Sequence, residues 1–276
     1  MLNNHSSDIN NKKLLEDRDL AKKRHDLDSG IFQGRYINFK LGRFTDEFIY
    51  GRYQIFEEVK KDLKKLSPNS KVLDLGSGTG HLSKYIKELG FDVIGLDPSL
   101  KMLELARYNF NDIDFVEGIS AKLPFDDKSF DYVVSIEVLR YLNPKDVEKT
   151  YKEIHRVLKP KGLFNVTHVN KYALDMYYFY YHFKKFISQK NGRQYHNCYF
   201  TNSIIEKNII KAFGFKKVKS IGRMDATIRI AYKFGSLFGR FYSGIKEIFN
   251  KNQRYKGPLK NYAGHLIIRG YKWLKT

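Results

Sequence analysis

The nine residues VLDLGSGTG at positions 72–80 decide the fold. A short apolar run ends beside an acidic residue, Asp74, and Gly76, Gly78 and Gly80 follow before a helical pattern opens at His81. Glycines let a backbone turn sharply and approach a ligand closely, and the helix N-terminus behind them offers unpaired N–H donors. The spacing is G-x-G-x-G with a carboxylate two residues ahead, not the G-x-G-x-x-G of dinucleotide binders. Asp74 suits a ligand with a cationic amino-acid end and no pyrophosphate.

Outward from that stretch, VIGLDPS at 93–99 places Asp97 at the end of the next apolar run, seventeen residues after Gly80. A carboxylate there can accept both hydroxyls of a ribose, with Pro98 and Met102 lining an adenine face. An Asp before Pro is also a common turn, but two motifs in this order at β-α-β distance disfavour that reading. Strand patterns at 72–75, 93–96, 115–116, 132–136 and 163–168 alternate with helical patterns at 81–89, 99–108 and 145–158. Parallel strands need helical crossovers, so the expected class is α/β, a doubly wound Rossmann-like sheet. Beyond Asn170 the alternation stops. A helical insertion over 171–190 contains YYFYY at 177–181. It is followed by a helix at 201–213, a sixth strand at 216–221, one long basic helix at 226–250 with a kink at Gly235 or Gly239, and a last strand at 264–273. The N-terminal part has a helical candidate at 14–26 and another at 54–66. The expected organisation is an arm over 1–45 and one domain over 46–276, with an aromatic acceptor-side insertion at 171–200 and an amphipathic lid helix at 225–255.

Residues 71–165 resemble class I S-adenosylmethionine-dependent methyltransferases of the branch that modifies small molecules, lipids and quinone precursors. Besides the two motifs above, FVEGISAKLPFDDKSFDYVVS at 115–135 and EIHRVLKPKG at 153–162 carry the likeness. The resemblance implies seven strands in the order 3-2-1-4-5-7-6, the last antiparallel. It also implies contacts from Asp74, Gly76, Ser77, Gly78, Gly80, Asp97, Pro98, Met102, Ser120, Ala121 and the Ile136–Glu137 edge to S-adenosyl-L-methionine. Where the family usually has an Asp for the adenine amine, this chain has Ile119. Losing one such hydrogen bond weakens binding by roughly 0.5–1.5 kcal/mol, so the cofactor is still expected to bind, with backbone N–H groups at Ser120 or Ala121 serving adenine. His155 belongs to the family's turn before strand five and reads as structural.

The acceptor side is read from the loops beyond strands four and five. Glu137 and Arg140 face the crevice in which such sheets bind ligands, as substrate contacts or as part of a solvated loop. The insertion supplies Tyr178, Tyr181, His182 and His196 as acceptor-pocket residues, and His168, at the end of strand five, as the candidate general base; each of these aromatics has packing as its competing role. There is no Asn/Asp-Pro-Pro-Tyr element and no Pro-Cys or Thr-Cys nucleophile, which disfavours methylation of nucleic-acid bases. The only cysteine, Cys198, excludes an internal disulfide and a cysteine-rich metal site, and no metal is expected.

The net charge of +20 is lopsided: residues 171–276 hold 22 Lys/Arg against four Asp/Glu, a balance of +18, while residues 1–170 are near neutral. Such a field attracts an anionic partner, a lipid surface or a nucleic acid, although codon bias also enriches lysine. In 226–250 the apolar stripe Ile230, Phe234, Leu237, Phe241, Ile245 and Ile248 runs beside Arg229, Lys233 and Arg240, a pattern that suits either packing on the sheet or an anionic membrane surface. No stretch has the length of a membrane span and the N-terminus lacks a signal-peptide core, so a cytoplasmic location, peripheral at the inner membrane face, is the expectation. Three functions remain open: methyl transfer to a small or lipid-linked acceptor, methyl transfer to RNA, and non-catalytic binding. Intact glycines and Asp97 disfavour the last, and the lack of a recognisable RNA-binding module the second.

Overall fold

The computed structural model describes residues 19–36, 44–175, 177–191, 197–223, 226–250 and 262–273. Two helices come first, α1 (19–36) and α2 (Glu47–Leu63). Then strand and helix alternate: β1 (Lys71–Leu75), α3 (His81–Glu88), β2 (Asp92–Asp97), α4 (Leu100–Asn109), β3 (Asp114–Glu117), β4 (Phe130–Ser135), α5 (Pro144–Val157) and β5 (Leu158–Asn170). The chain continues through α6 (Tyr177–Lys190), β6 (Phe200–Thr201), α7 (Ser203–Ala212), β7 (Phe215–Arg223), α8 (Ala226–Lys233), α9 (Ser236–Asn250) and β8 (His265–Lys272).

The sheet runs β3-β2-β1-β4-β5-β8-β7, with the two-residue β6 beside β5. Apart from that extra short strand, this is the expected order, and β8 lies antiparallel to both β5 and β7. Period-two side chains divide the sheet residues between two cores. Val72, Tyr132, Leu163 and Ile267 join Ile55, Val59 and Leu103 of α2 and α4 on one face. Leu73, Val133, Phe164 and Ile268 join Tyr151, Ile154 and Ile210 of α5 and α7 on the other. Helix starts are fixed by side-chain caps at Asp46, Ser99, Asn143 and Asn202, whose oxygens accept N–H donors of the first turn.

Three expectations are corrected. The 226–250 helix is two helices, broken where Gly235 adopts φ +112°. The strand expected over 163–168 starts at Leu158 and takes in Lys159–Gly162, with a register shift between Phe130↔Leu158 and Tyr132↔Leu163. The N-terminal helix extends through 36, well past 26. No described helix is long and apolar enough to cross a membrane.

Candidate active site

A cavity of about 430 Å³ opens at the C-terminal ends of β1, β2 and β4, where doubly wound sheets bind ligands. The glycine loop forms its floor. Gly76 has φ +81°, and a Cβ there would stand 2.0 Å from Val138 Cγ2, so the loop can follow this path only without a side chain. Gly78, at φ +53°, has nothing within 4 Å of its would-be Cβ, which leaves room at the loop's crest. Asp97 ties the loop to β2: its two oxygens accept the backbone N–H groups of Gly78 and Ser99, each at 2.9 Å. A carboxylate has about four lone-pair sites, so acceptor capacity remains for a ribose.

Two buried carboxylates dominate the electrostatics. Burial pushes Asp74 up to about 7, with the nearby Asp97 charge adding to the effect against the hydrogen bond that Ser83 Oγ donates at 2.6 Å. Burial likewise pushes Asp97 up to about 6, against its two backbone hydrogen bonds. Ser77 Oγ is buried without a hydrogen-bond partner among the described residues. Carboxylates deprived of water, an orphaned hydroxyl and open space at Gly78 fit a ligand that brings positive charge and sugar hydroxyls. S-adenosylmethionine is such a ligand. Pro98, Met102, Ile119, Ser120 and Ala121 line the same cavity. The Ser120 hydroxyl is engaged with Thr150 Oγ1 at 2.8 Å.

The segment after β4 adds Glu137 to the cavity lining, a non-glycine residue at φ +61°, an uncommon conformation that tends to mark functional positions. Its N–H donates to Thr167 Oγ1 at 2.6 Å, and its carboxylate accepts from Arg140 Nη1 at 2.8 Å and lies 2.7 Å from His265 Nδ1. Burial opposes ionisation, but His265, Arg140 and Arg52 hold the carboxyl well below its usual range. Arg140 also donates to the Tyr177 hydroxyl at 2.6 Å.

All the residues assigned to the cofactor line this cavity except Gly80, which caps α3 and packs against Phe115. Glu137 and Arg140 line it as well. His168 does not: it is buried in a network in which Tyr151 OH lies 2.7 Å from its Nε2 and donates to Glu206 Oε2 at 2.9 Å. Tyr178, Tyr181 and His182 also lie away from the wall; they gather around Phe200, and Tyr181 OH accepts the Cys198 N–H at 2.8 Å. His196 lies outside the described residues. The expected lid over 225–255 puts no described residue of α8 or α9 on the cavity wall.

That cover comes from the N-terminal helices. Lys22, His25, Phe32 and Tyr36 of α1 and Phe48, Arg52 and Phe56 of α2 line the cavity. Helix α1 is fastened across the mouth by Lys22–Glu117 at 3.6 Å, Gln33–Asn109 at 3.3 Å and a Ser99–Asp26 hydrogen bond. His25 meets Tyr141 edge-on at 4.8 Å, and burial lowers its pKa. The spacing of Phe48, Arg52 and Phe56 at every fourth residue is the one signal in the sequence that could have found part of this wall.

The strand order and a glycine-loop cavity bounded by Asp74 and Asp97 define the class I methyltransferase architecture, whose cofactor is S-adenosylmethionine. Residues 73–166 match the family model of a methyltransferase domain, and over that stretch the chain resembles class I S-adenosylmethionine-dependent methyltransferases. It is 34% identical over 152 residues to a demethylmenaquinone methyltransferase of Chlorobaculum tepidum, covering 55% of this chain and 61% of that protein. The chain spans 49–61% of the length of the curated relatives it matches first. Among solved structures, a possible histamine N-methyltransferase of Thermotoga maritima aligns with a TM-score of 0.57 and 20% identity, over 87% of this chain and 96% of that one. Phosphoethanolamine N-methyltransferase 2 of Haemonchus contortus, in complex with phosphomonomethylethanolamine and S-adenosylhomocysteine, aligns at 0.58 and 19%, over 80% of this chain and 53% of that one. At these identities the solved structures speak for the fold alone.

Proposed function

We propose that this chain transfers the methyl group of S-adenosylmethionine to a small-molecule acceptor of the quinone or another lipid-linked type, at an anionic membrane surface. The observation that carries the transfer reaction is the single cavity in which the glycine loop, Asp74 and Asp97 meet Glu137, Arg140 and His25. When bound, the cofactor would supply an electrophilic methyl on a sulfonium, with the neutral thioether S-adenosylhomocysteine as the leaving group. The protein's part is positioning and exclusion of water. Asp97 holds ribose, Asp74 faces the cationic end, and Pro98 and Met102 flank adenine. Glu137 and Arg140 orient the acceptor. His25, whose pKa burial lowers, lines the cavity and can accept a proton from an acceptor hydroxyl, whereas His168 does not line it. The acceptor class is supported by the relatives named demethylmenaquinone methyltransferases, and the surface by the exposed apolar faces of α6, α8 and α9.

Methyl-labelled cofactor, purified protein and a total lipid extract spiked with unmethylated naphthoquinol test the reading. Label is expected in the organic-soluble quinone fraction. Label confined to water-soluble amines, or to added RNA, overturns the acceptor class.

A further inference from the structure

Three long cations line the cavity, and two are already committed. Lys22 pairs with Glu117 at 3.6 Å, and Arg140 with Glu137 at 2.8 Å. Arg52 makes no ion pair among the described residues. Its guanidinium is propped 4.9 Å from the ring centroid of Phe48, one helical turn earlier on the same face of α2. Burial lowers the pKa of His25, the imidazole on the same N-terminal wall. Arg52 lines the same cavity as Asp74, the glycine loop and Glu137.

The cofactor assigned above brings two positive groups and one negative group, the carboxylate of its methionine end. The positive groups meet the buried carboxylates. A carboxylate entering the same site without a cation would pay a desolvation cost of several kcal/mol. We propose that Arg52 is the counter-ion of the cofactor's carboxylate, so that α2, far from the sequence motifs, completes the cofactor site. A guanidinium fork matches a carboxylate in two hydrogen bonds, and the Phe48 ring supports the Arg52 head group at the cavity.

The inference rests on the S-adenosylmethionine reading, and titration calorimetry with two ligands separates the two claims. S-adenosylhomocysteine carries the carboxylate; 5′-methylthioadenosine keeps the nucleoside and sulfur without the amino-acid end. Arg52→Gln is expected to weaken S-adenosylhomocysteine binding about ten- to hundred-fold and to leave methylthioadenosine within about twofold. Arg52→Lys, which keeps the charge and loses the fork, should fall between wild type and Arg52→Gln. Equal losses for both ligands, or an unchanged affinity for S-adenosylhomocysteine, would overturn the assignment. Failure of the wild type to bind S-adenosylhomocysteine at all would overturn the cofactor reading and this proposal with it.

Discussion

Asp74 lies beneath the glycine loop with one oxygen taken by Ser83 and its carboxyl pushed up to about 7, so at neutral pH about half the unliganded molecules carry it protonated. A positively charged ligand favours the ionised form, so binding expels that proton. Cofactor affinity is therefore expected to level off about one unit above pH 7 and to fall by up to about tenfold per unit below it. Asp74→Asn should flatten this step, and calorimetry in buffers of different ionisation enthalpy reads the proton release; an unchanged profile in the variant would remove Asp74 from the linkage. The two glycines beside it should part company. Gly76→Ala drives a Cβ to 2.0 Å from Val138 and is expected to cost 2 kcal/mol or more in thermal unfolding, about the upper range for overpacking. Gly78→Ala meets open space and should cost about 1 kcal/mol of fold stability for its positive φ. Its loss should instead appear in cofactor affinity, and equal unfolding temperatures for the two variants would contradict the contrast. These residues were legible because strand, turn and helix N-terminus lie within nine consecutive positions. Arg52, His25 and Tyr36 were not, because they reach the cavity through tertiary packing of helices that precede the motif and carry no motif of their own.

Helix α2 is locked to the sheet by charge as well as by apolar packing. Arg269 donates to Glu58 at 2.6 Å and to Asp62 at 2.5 Å, Asn165 donates to Asp62 at 2.9 Å, and Arg223 pairs with Glu58. Burial alone would raise the Glu58 carboxyl, but Arg223 and Lys61 bring it down to about 2. A carboxyl with a folded-state pKa below its unfolded value of 4.5 adds stability above that value and loses it as pH falls toward 2. The gap corresponds to up to about 3 kcal/mol. Urea unfolding should therefore find Glu58→Gln less stable than wild type by about that much at pH 7, with the difference shrinking between pH 5 and 3; a constant difference would show that packing, and not charge, holds α2. The lock matters to function because the same helix carries Phe48, Arg52 and Phe56 into the cavity. Element boundaries outside the motifs were less legible. Periodicity continues across Gly235, so the break between α8 and α9 is visible only in a glycine the pattern could also tolerate as a kink. Lys159–Gly162 has the composition of a turn, yet β4 supplies a partner strand that takes it up as a bulge.

At the scale of the whole molecule, the lopsided charge of the sequence and the surface of the fold coincide. The stripe Ile230, Phe234, Leu237, Phe241, Ile245 and Ile248 does not pack on the sheet; its members are 37–76% exposed. Instead α8 turns Ile228 and Tyr232 inward against Tyr50 of α2, which leaves the stripe to solvent. Helix α6 exposes Phe179, Phe183 and Phe186 as well, and Arg229 joins it to α8 through Asp175 at 2.8 Å and the Tyr177 ring at 4.6 Å. Apolar surface on this scale, set in a segment of +18, matches an interface that offers hydrocarbon and negative headgroups together, whereas RNA gains little from aliphatic side chains. The protein is expected to float with vesicles containing anionic phospholipid, to stay behind with neutral ones, and to be released in part by salt. Arg229 is committed to Asp175, so the informative cations are Lys233 and Arg240. Replacing both with Gln should remove about 1 kcal/mol each, roughly thirtyfold in partitioning. Phe234→Ser with Phe241→Ser should weaken the salt-resistant fraction, and neither pair should change S-adenosylhomocysteine affinity, because none of these residues lines the cavity. Binding that responds to the cations and not to the aromatics, together with retention of structured RNA, would assign this face to nucleic acid.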